Sequence, residues 1–352
     1  VIFIAVVGLL VAGLSTAYVV SPDVRFLTRA SAEESEILAS RRPIDEMVAD
    51  SSLSADLRGR LRLVLDARNF AATLGFAAGK TYTTYADVKR DTLLLVVSAS
   101  PRDCLCPYTW KYPIVGRMPY KGFFDLGAAR KEAAKLEAKG YDIYLRPSGA
   151  FSTLGWFDDP LLSTAVGGDT VELAATVFHE IAHNTLYIKS ATPFNESFAQ
   201  LAGYRAAEAF FRSRGDSAAS RYAADRWRDE VVLGGYYTEL AGRLDSLYHA
   251  IHGDSVALDS GRATIAAWAR AELQDSVAPK LVTYKVGKLP ERPVNNARII
   301  AARIYRNRLD LLEQWYQAHG QDIAASVAAL SELMKGAEGD VAEERLQAAV
   351  GH

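Results

Sequence analysis

Apolar residues recur three and four apart in two long stretches of the chain and crowd into short runs between them. The first helical stretch covers residues 30–75, AEESEILASRR and then SADLRGRLRLVLDARNFAATLGF, where the leucines fall at helical spacing. The period then changes. TLLLVVSAS (92–100), KYPIVGRMPYKGFF (111–124), YDIYLRP (141–147) and FSTLGWF (151–157) are short, β-branched or aromatic, and bounded by Pro, Gly or Asp, which predicts strands. Between the second and third, AARKEAAKLEAKG predicts a solvent-facing helix closed by Gly140. From Asp169 the helical period runs to the C-terminus, broken near Gly215, Gly253, residues 285–293 and Gly320. A mixed sheet followed by helices predicts an α+β fold. One domain is expected over 23–352, with an α/β part at 23–165 and a helical part at 166–352.

Residues 1–22 carry no charge, and the uninterrupted apolar part, Val1 to Leu14, has the length of a signal-peptide core. This predicts a signal peptide or membrane anchor, and an exported protein that is periplasmic or held at the cell membrane. With 49% hydrophobic residues, 23% charged residues and a net charge of −2, the rest reads as an ordinary folded protein. It lacks the basic excess that nucleic-acid binding needs. The two cysteines, Cys104 and Cys106, are too close for an unstrained bridge across an extended backbone, so no disulfide framework is expected.

The chain has only six histidines, and two of them stand four apart in HEIAH, residues 179–183. Asp169 or Thr170 can cap the helix that carries them, with Glu172 placed to complete a capping box. On that helix His179 and His183 project from one face, so both imidazoles can meet a single ion. Glu180 sits about 100° further round, beside the ion rather than on it. Two histidines that hold Zn²⁺ and a glutamate that takes a proton from the activated water are the chemistry this spacing supports. A catalytic zinc needs a third protein ligand. ATPFNESFAQLAGYRAAEAFF supplies a second helix, in which Thr192 can cap, Pro193 suits the first position and Glu196 falls in the opening turns. Asn195 would flank the site beside the substrate.

HEIAH followed by NESFA resembles the gluzincin metallopeptidases. RRPIDEMVAD, YPIVGRMPYKGFFD, STLGWFDDPLLST, FHEIAHNTLYI, FNESFAQ and NNAR together look like the bacterial predicted-aminopeptidase family of cell-envelope proteins, over about residues 40–320. The resemblance implies a zincin-like fold, a peptide substrate, zinc ligands His179, His183 and Glu196, and Glu180 as general base. It leaves the substrate open, because the G-x-M-E-N motif of better known zinc aminopeptidases, whose glutamate holds the amino terminus, does not occur here. Asp158 or Asp159 after FSTLGWF can take that part, or can simply form a turn before Pro160. Tyr305, with Tyr204 behind it, is the candidate donor to the tetrahedral intermediate. His249 and His319 read as helix-end residues bonded to carbonyls. Aminopeptidase action, endopeptidase action and a non-catalytic envelope protein with a zinc site all remain open.

Overall fold

The computed structural model describes residues 20–112, 116–148, 160–251, 253–287 and 293–351. Its fold is mixed α and β, mostly helical, with small sheets. The leucine-spaced stretches form α1 (Pro22–Ala39) and, after β1 (Arg42–Pro43) and α2 (Ile44–Ala49), α3 (Ala55–Thr73). Ser21 and Ser54 cap α1 and α3 by accepting the amides of Val24 and Leu57. The strand-rich part follows as β2 (Thr84–Ala86), β3 (Leu94–Ser100), β4 (Trp110–Tyr112), β5 (Gly116–Met118), β6 (Lys121–Phe123), α4 (Leu126–Glu137), β7 (Asp142–Ser148) and β8 (Leu161–Leu162).

The expected mixed sheet is three sheets. One has the order β1-β2-β8, antiparallel then parallel; the second has the order β6-β3-β7, antiparallel throughout; β4 and β5 form a hairpin. The run expected as one strand at 111–124 is divided among β4, β5 and β6; between β5 and β6, Pro119 has no amide to donate and the chain bends there. β3 is central and covered on both faces, which explains its unbroken apolar sequence. Leu95, Val97 and Ala99 pack on Ala129, Ala133 and Leu136 of α4, while Leu94 and Val96 join Ile37 of α1 and Leu162 of β8. The expected strand at 151–157 lies outside the described residues.

Helices complete the chain: α5 (Ser163–Val166), α6 (Thr170–Thr185), α7 (Thr192–Ser213), α8 (Ser217–Ile251), α9 (Ser255–Ala271), α10 (Asn296–Ile304), α11 (Leu309–Ala318), α12 (Ile323–Leu333) and α13 (Val341–Val350). Breaks fall at Gly215, Gly253 and Gly320 as expected, the first two with φ 74° and 87°, and further breaks not expected from the sequence fall at 305–308 and 334–340. The largest core cluster joins α3, α6, α7, α11, α12 and α13 through Leu61, Phe178, Phe198, Leu312, Leu330 and Leu346. Leu240, Leu244, Ala269 and Leu273 belong to a second cluster between α8, α9 and the helical segment Glu272–Val277 that continues α9.

Cys104 and Cys106, expected to stay unbridged, form a disulfide. The backbone between them bends instead of extending, leaving the Cα atoms 5.3 Å apart, within reach of a bridge. Ser100 Oγ sits under the bend, 3.1 and 2.9 Å from the two cysteine carbonyls. No helix of the described residues is long and apolar enough to cross a membrane; residues 1–19 of the charge-free leader lie outside them.

Candidate metal centre

The helix α6 is held on nearly every side. Val171, Leu173, Ala174, Val177, Phe178, Ile181 and Ala182 are buried, and Phe178 meets Phe70 and Phe210 edge to face at 6.2 and 5.9 Å. Asp169 caps it, accepting the amides of Val171 and Glu172 at 2.7 and 3.4 Å. The capping box is not completed. Glu172 turns instead to Arg226 Nε at 2.7 Å and to the Tyr204 hydroxyl at 3.0 Å, since a guanidinium is the stronger donor.

The helix α7 returns against α6 after a turn fastened by Asn195. Its side-chain oxygen accepts from Ile188 N at 2.9 Å and its amide nitrogen donates to Ile188 O at 2.7 Å, with Asn195 only 2% exposed. The expectation of Asn195 beside substrate is thereby corrected: its amide is spent on the turn. Ala191 is the N-cap, so Thr192 and Pro193 are the first two helical residues, one position earlier than expected. Further along, Gly203 lets the helices touch: a Cβ there would stand 2.8 Å from Ala175 O and 3.4 Å from His179 Cβ. Glu196 lies seven residues before Gly203, two turns away on the same face, and is thereby aimed at His179 and His183.

These three side chains converge. His179 Nε2 and His183 Nε2 are 3.3 Å apart, and the Glu196 carboxylate oxygens lie 3.4 Å from the first and 3.8 Å from the second. Among the described residues they form the one group of three or more His, Cys, Asp or Glu side chains able to share an ion. A tetrahedral ion with ligand bonds of about 2.0–2.1 Å separates its ligand atoms by roughly 3.4 Å, so the spacing fits. Protonation fits as well. Burial, reinforced by His179, pulls His183 down to about 4, so its ring is neutral near pH 7 with a lone pair to give. Burial alone would raise Glu196; the hydrogen bond from His179 and the charges of His183, His179 and Arg146 outweigh it, keeping the carboxyl below its usual range and ionised.

Tyr305 reaches the site from the end of α10, where it is the C-terminal cap. Asn307 N donates to Ser197 Oγ at 2.9 Å, pinning that end of α10 to the residue after Glu196. Burial, with Glu196, Tyr120 and Glu180 nearby and Arg146 opposing, pushes the Tyr305 hydroxyl up to about 12. It is therefore a protonated donor within the field of both Glu196 and Glu180. Glu180 is half-buried, one residue past His179 on α6. Tyr204, the alternative, is committed to Glu172 and Arg226. Asp158 and Asp159 lie outside the described residues. His249 and His319 bond the carbonyls of Asp245 and Trp315 at 2.7 and 2.8 Å, as expected of helix ends.

Two residues that sequence reasoning passed over also belong here. Burial first, then the Glu196 charge, raises the Tyr120 hydroxyl, with Arg146 acting against them. Tyr120 precedes β6 and Arg146 lies on β7. Tyr120 falls within YPIVGRMPYKGFFD, one of the stretches that carry the family resemblance, and Arg146 within a strand-like run, but neither stretch singles out the residue itself.

Fold and site together define a class: a mostly helical α+β chain with a candidate divalent-cation centre where two helices touch. The chain belongs to the family described as "Putative aminopeptidase", whose model matches residues 25–346, and that description suggests peptidase activity. No curated protein and no solved structure matches the chain.

Proposed function

We propose that the chain is a zinc-dependent peptidase of zincin-like, gluzincin type, acting first as an aminopeptidase in the bacterial cell envelope, with endopeptidase action as the alternative. The observation that carries this reading is the meeting of His179 Nε2, His183 Nε2 and Glu196 at ligand spacing, with Glu180 on the same helix. His179, His183 and Glu196 would hold Zn²⁺, which supplies Lewis acidity toward water and the scissile carbonyl. Glu180 takes the proton from the attacking water and passes it to the leaving amine. Tyr305, protonated at neutral pH, donates to the oxygen that gains charge in the tetrahedral intermediate. Asp158 is the proposed anion for the substrate's free amine.

The decisive experiment is Glu180→Gln. Hydrolysis of free-amine peptides should fall by about 10²–10⁴-fold while one zinc per chain is retained. Undiminished turnover with zinc bound would refute the role given to Glu180.

A further inference from the structure

The strand β7 alternates in what it faces. Ile143 and Leu145 pack toward α4, in the cluster of Val97 and Leu136. Asp142 and Tyr144 face the helices instead: Asp142 Oδ2 accepts from Asn296 N at 2.7 Å, and the Arg298 guanidinium lies 5.9 Å from the Tyr144 ring. Thus α10 runs beside this face in the same direction as the strand. Arg146 is the next residue on that face. Four residues of strand and nine of helix each advance about 13 Å, which brings Arg146 level with Tyr305. Its charge is accordingly felt by Tyr305, Tyr120 and Glu196.

Several inward arginines are paired, whereas the Arg298 guanidinium, over Tyr144 on this same face, leaves its buried Nε without a hydrogen-bond partner among the described residues. Arg205 meets Glu313 at 2.9 Å, Arg226 meets Glu172 at 2.7 Å, Arg262 meets Asp142 at 2.7 Å and Arg306 meets Glu230 at 2.7 Å. Arg146, half-buried, has no hydrogen bond and no salt bridge among the described residues. Glu196, whose carboxyl feels the Arg146 charge, is already turned to the two histidines. A planar guanidinium beside the candidate centre, without a partner among the described residues, is suited to receive a carboxylate, which it can hold through two parallel hydrogen bonds.

We propose that Arg146 is a specificity-determining residue that binds the C-terminal carboxylate of a short peptide, so that the substrates of this site are peptides of a few residues with a free carboxyl end. The inference rests on the peptidase reading above and adds the substrate class. Because Arg146 stands beside Tyr305 and Glu196, the carboxylate it holds lies only a residue or two beyond the scissile bond.

The test compares Ala-Ala-Ala, its C-terminal amide and Ala-Glu-Ala amide on the zinc-loaded protein, as wild type, Arg146→Lys and Arg146→Gln, with zinc content measured for each. Calorimetric binding of the same peptides to Glu180→Gln and to Glu180→Gln/Arg146→Gln gives a readout independent of turnover. A charge-assisted hydrogen bond predicts that kcat/KM and affinity favour the free acid over the amide by about 10–100-fold. Arg146→Gln should bring that ratio near one by loss on the acid alone, and Arg146→Lys should restore part of it, all at unchanged zinc content. A wild type that cleaves acid and amide equally overturns the proposal while leaving the peptidase reading intact. So does an Arg146→Gln variant that loses both alike, or an Ala-Glu-Ala amide as good as the free acid. If no peptide is cleaved, the peptidase reading fails, and acid-selective binding lost in Arg146→Gln still decides the carboxylate site.

Discussion

Two polar clusters are built into this molecule on opposite principles. Where α6 meets α7, His179, His183 and Glu196 turn lone pairs toward one space, and His183 Nδ1, buried, finds no partner among the described residues. Where α10 begins, the side-chain acceptors of Asp142 and Asn296 meet donors. Arg262, 5% exposed, donates to Asp142 at 2.7 Å, Asn296 at 3.2 Å, the Tyr248 hydroxyl at 2.8 Å, and the carbonyls of Arg102 and Val294 at 2.7 and 2.9 Å. A buried charge is tolerated when its hydrogen bonds are complete, and costs free energy when they are not. The Arg262 cluster is therefore a joint that tolerates burial by itself, tying β7 to α9 and α10. The His179 cluster has a surplus of acceptors that a cation would balance.

That contrast can be broken most sharply at the joint. Arg262→Met removes the closer cation of a buried ion pair and leaves Asp142 with only the Asn296 amide and the more distant Arg102, at 3.9 Å, a loss of about 3 kcal/mol. Chemical denaturation should show this loss while zinc affinity stays within a few-fold of wild type. Glu196→Gln should do the reverse. Even outer partners of metal ligands are worth about 10–100-fold in affinity, so loss of a ligand should weaken zinc binding by more than about 100-fold. The denaturation midpoint of the metal-free protein should move little. If Glu196→Gln unfolds the metal-free chain, its cluster is a joint as well, and the distinction fails.

A smaller effect couples stability to the site. Gly203→Ala drives a methyl group to 2.8 Å from Ala175 O, a backbone atom that cannot swing aside. Overpacking of this kind costs about 1–3 kcal/mol. It should also weaken zinc binding, because moving α7 away from α6 carries Glu196 with it. Unaltered zinc affinity in a destabilised Gly203→Ala protein would mean that the contact supports the fold alone.

How much of this was readable beforehand depends on the range of the interaction. His179, Glu180 and His183 were legible because their geometry is local, set by one turn of helix. Glu196 was legible as soon as a second helix start appeared close behind, although the cap proved to be Ala191 rather than Thr192. Tyr305 could be singled out only loosely, since nothing local ties it to Ser197, 108 positions earlier, where Asn307 fastens it. Arg146 was invisible. Its place depends on the β3–β7 register that sets it opposite Val96, and on α10 packing along β7, and neither is written in the residues around it. The capping box at Asp169 failed for the same reason: Arg226 comes from a distant helix and wins Glu172. Asn195 was misread because an exposed-looking polar residue near a motif can equally be the clasp of a turn.

The smallest prediction concerns protons, which compete for the same lone pairs as a metal. His183 titrates near 6.5 when unfolded and about 4 in the folded chain, because burial and His179 disfavour its charge. Between those values the unfolded state binds more protons, so stability of the chelator-treated protein should be intact above about 6.5 and decline as pH falls toward 4. Glu196, whose folded pKa is depressed, adds loss in the same direction lower down, as pH falls through its folded value. Urea midpoints at several pH values should give a shallower slope for His183→Gln than for wild type, and an unchanged slope for Arg262→Met, which does not touch the ring. Equal slopes for wild type and His183→Gln would mean that the buried imidazole is not held neutral by its surroundings. Zinc binding should weaken across the same window, since each proton on His183 removes the lone pair a cation would take.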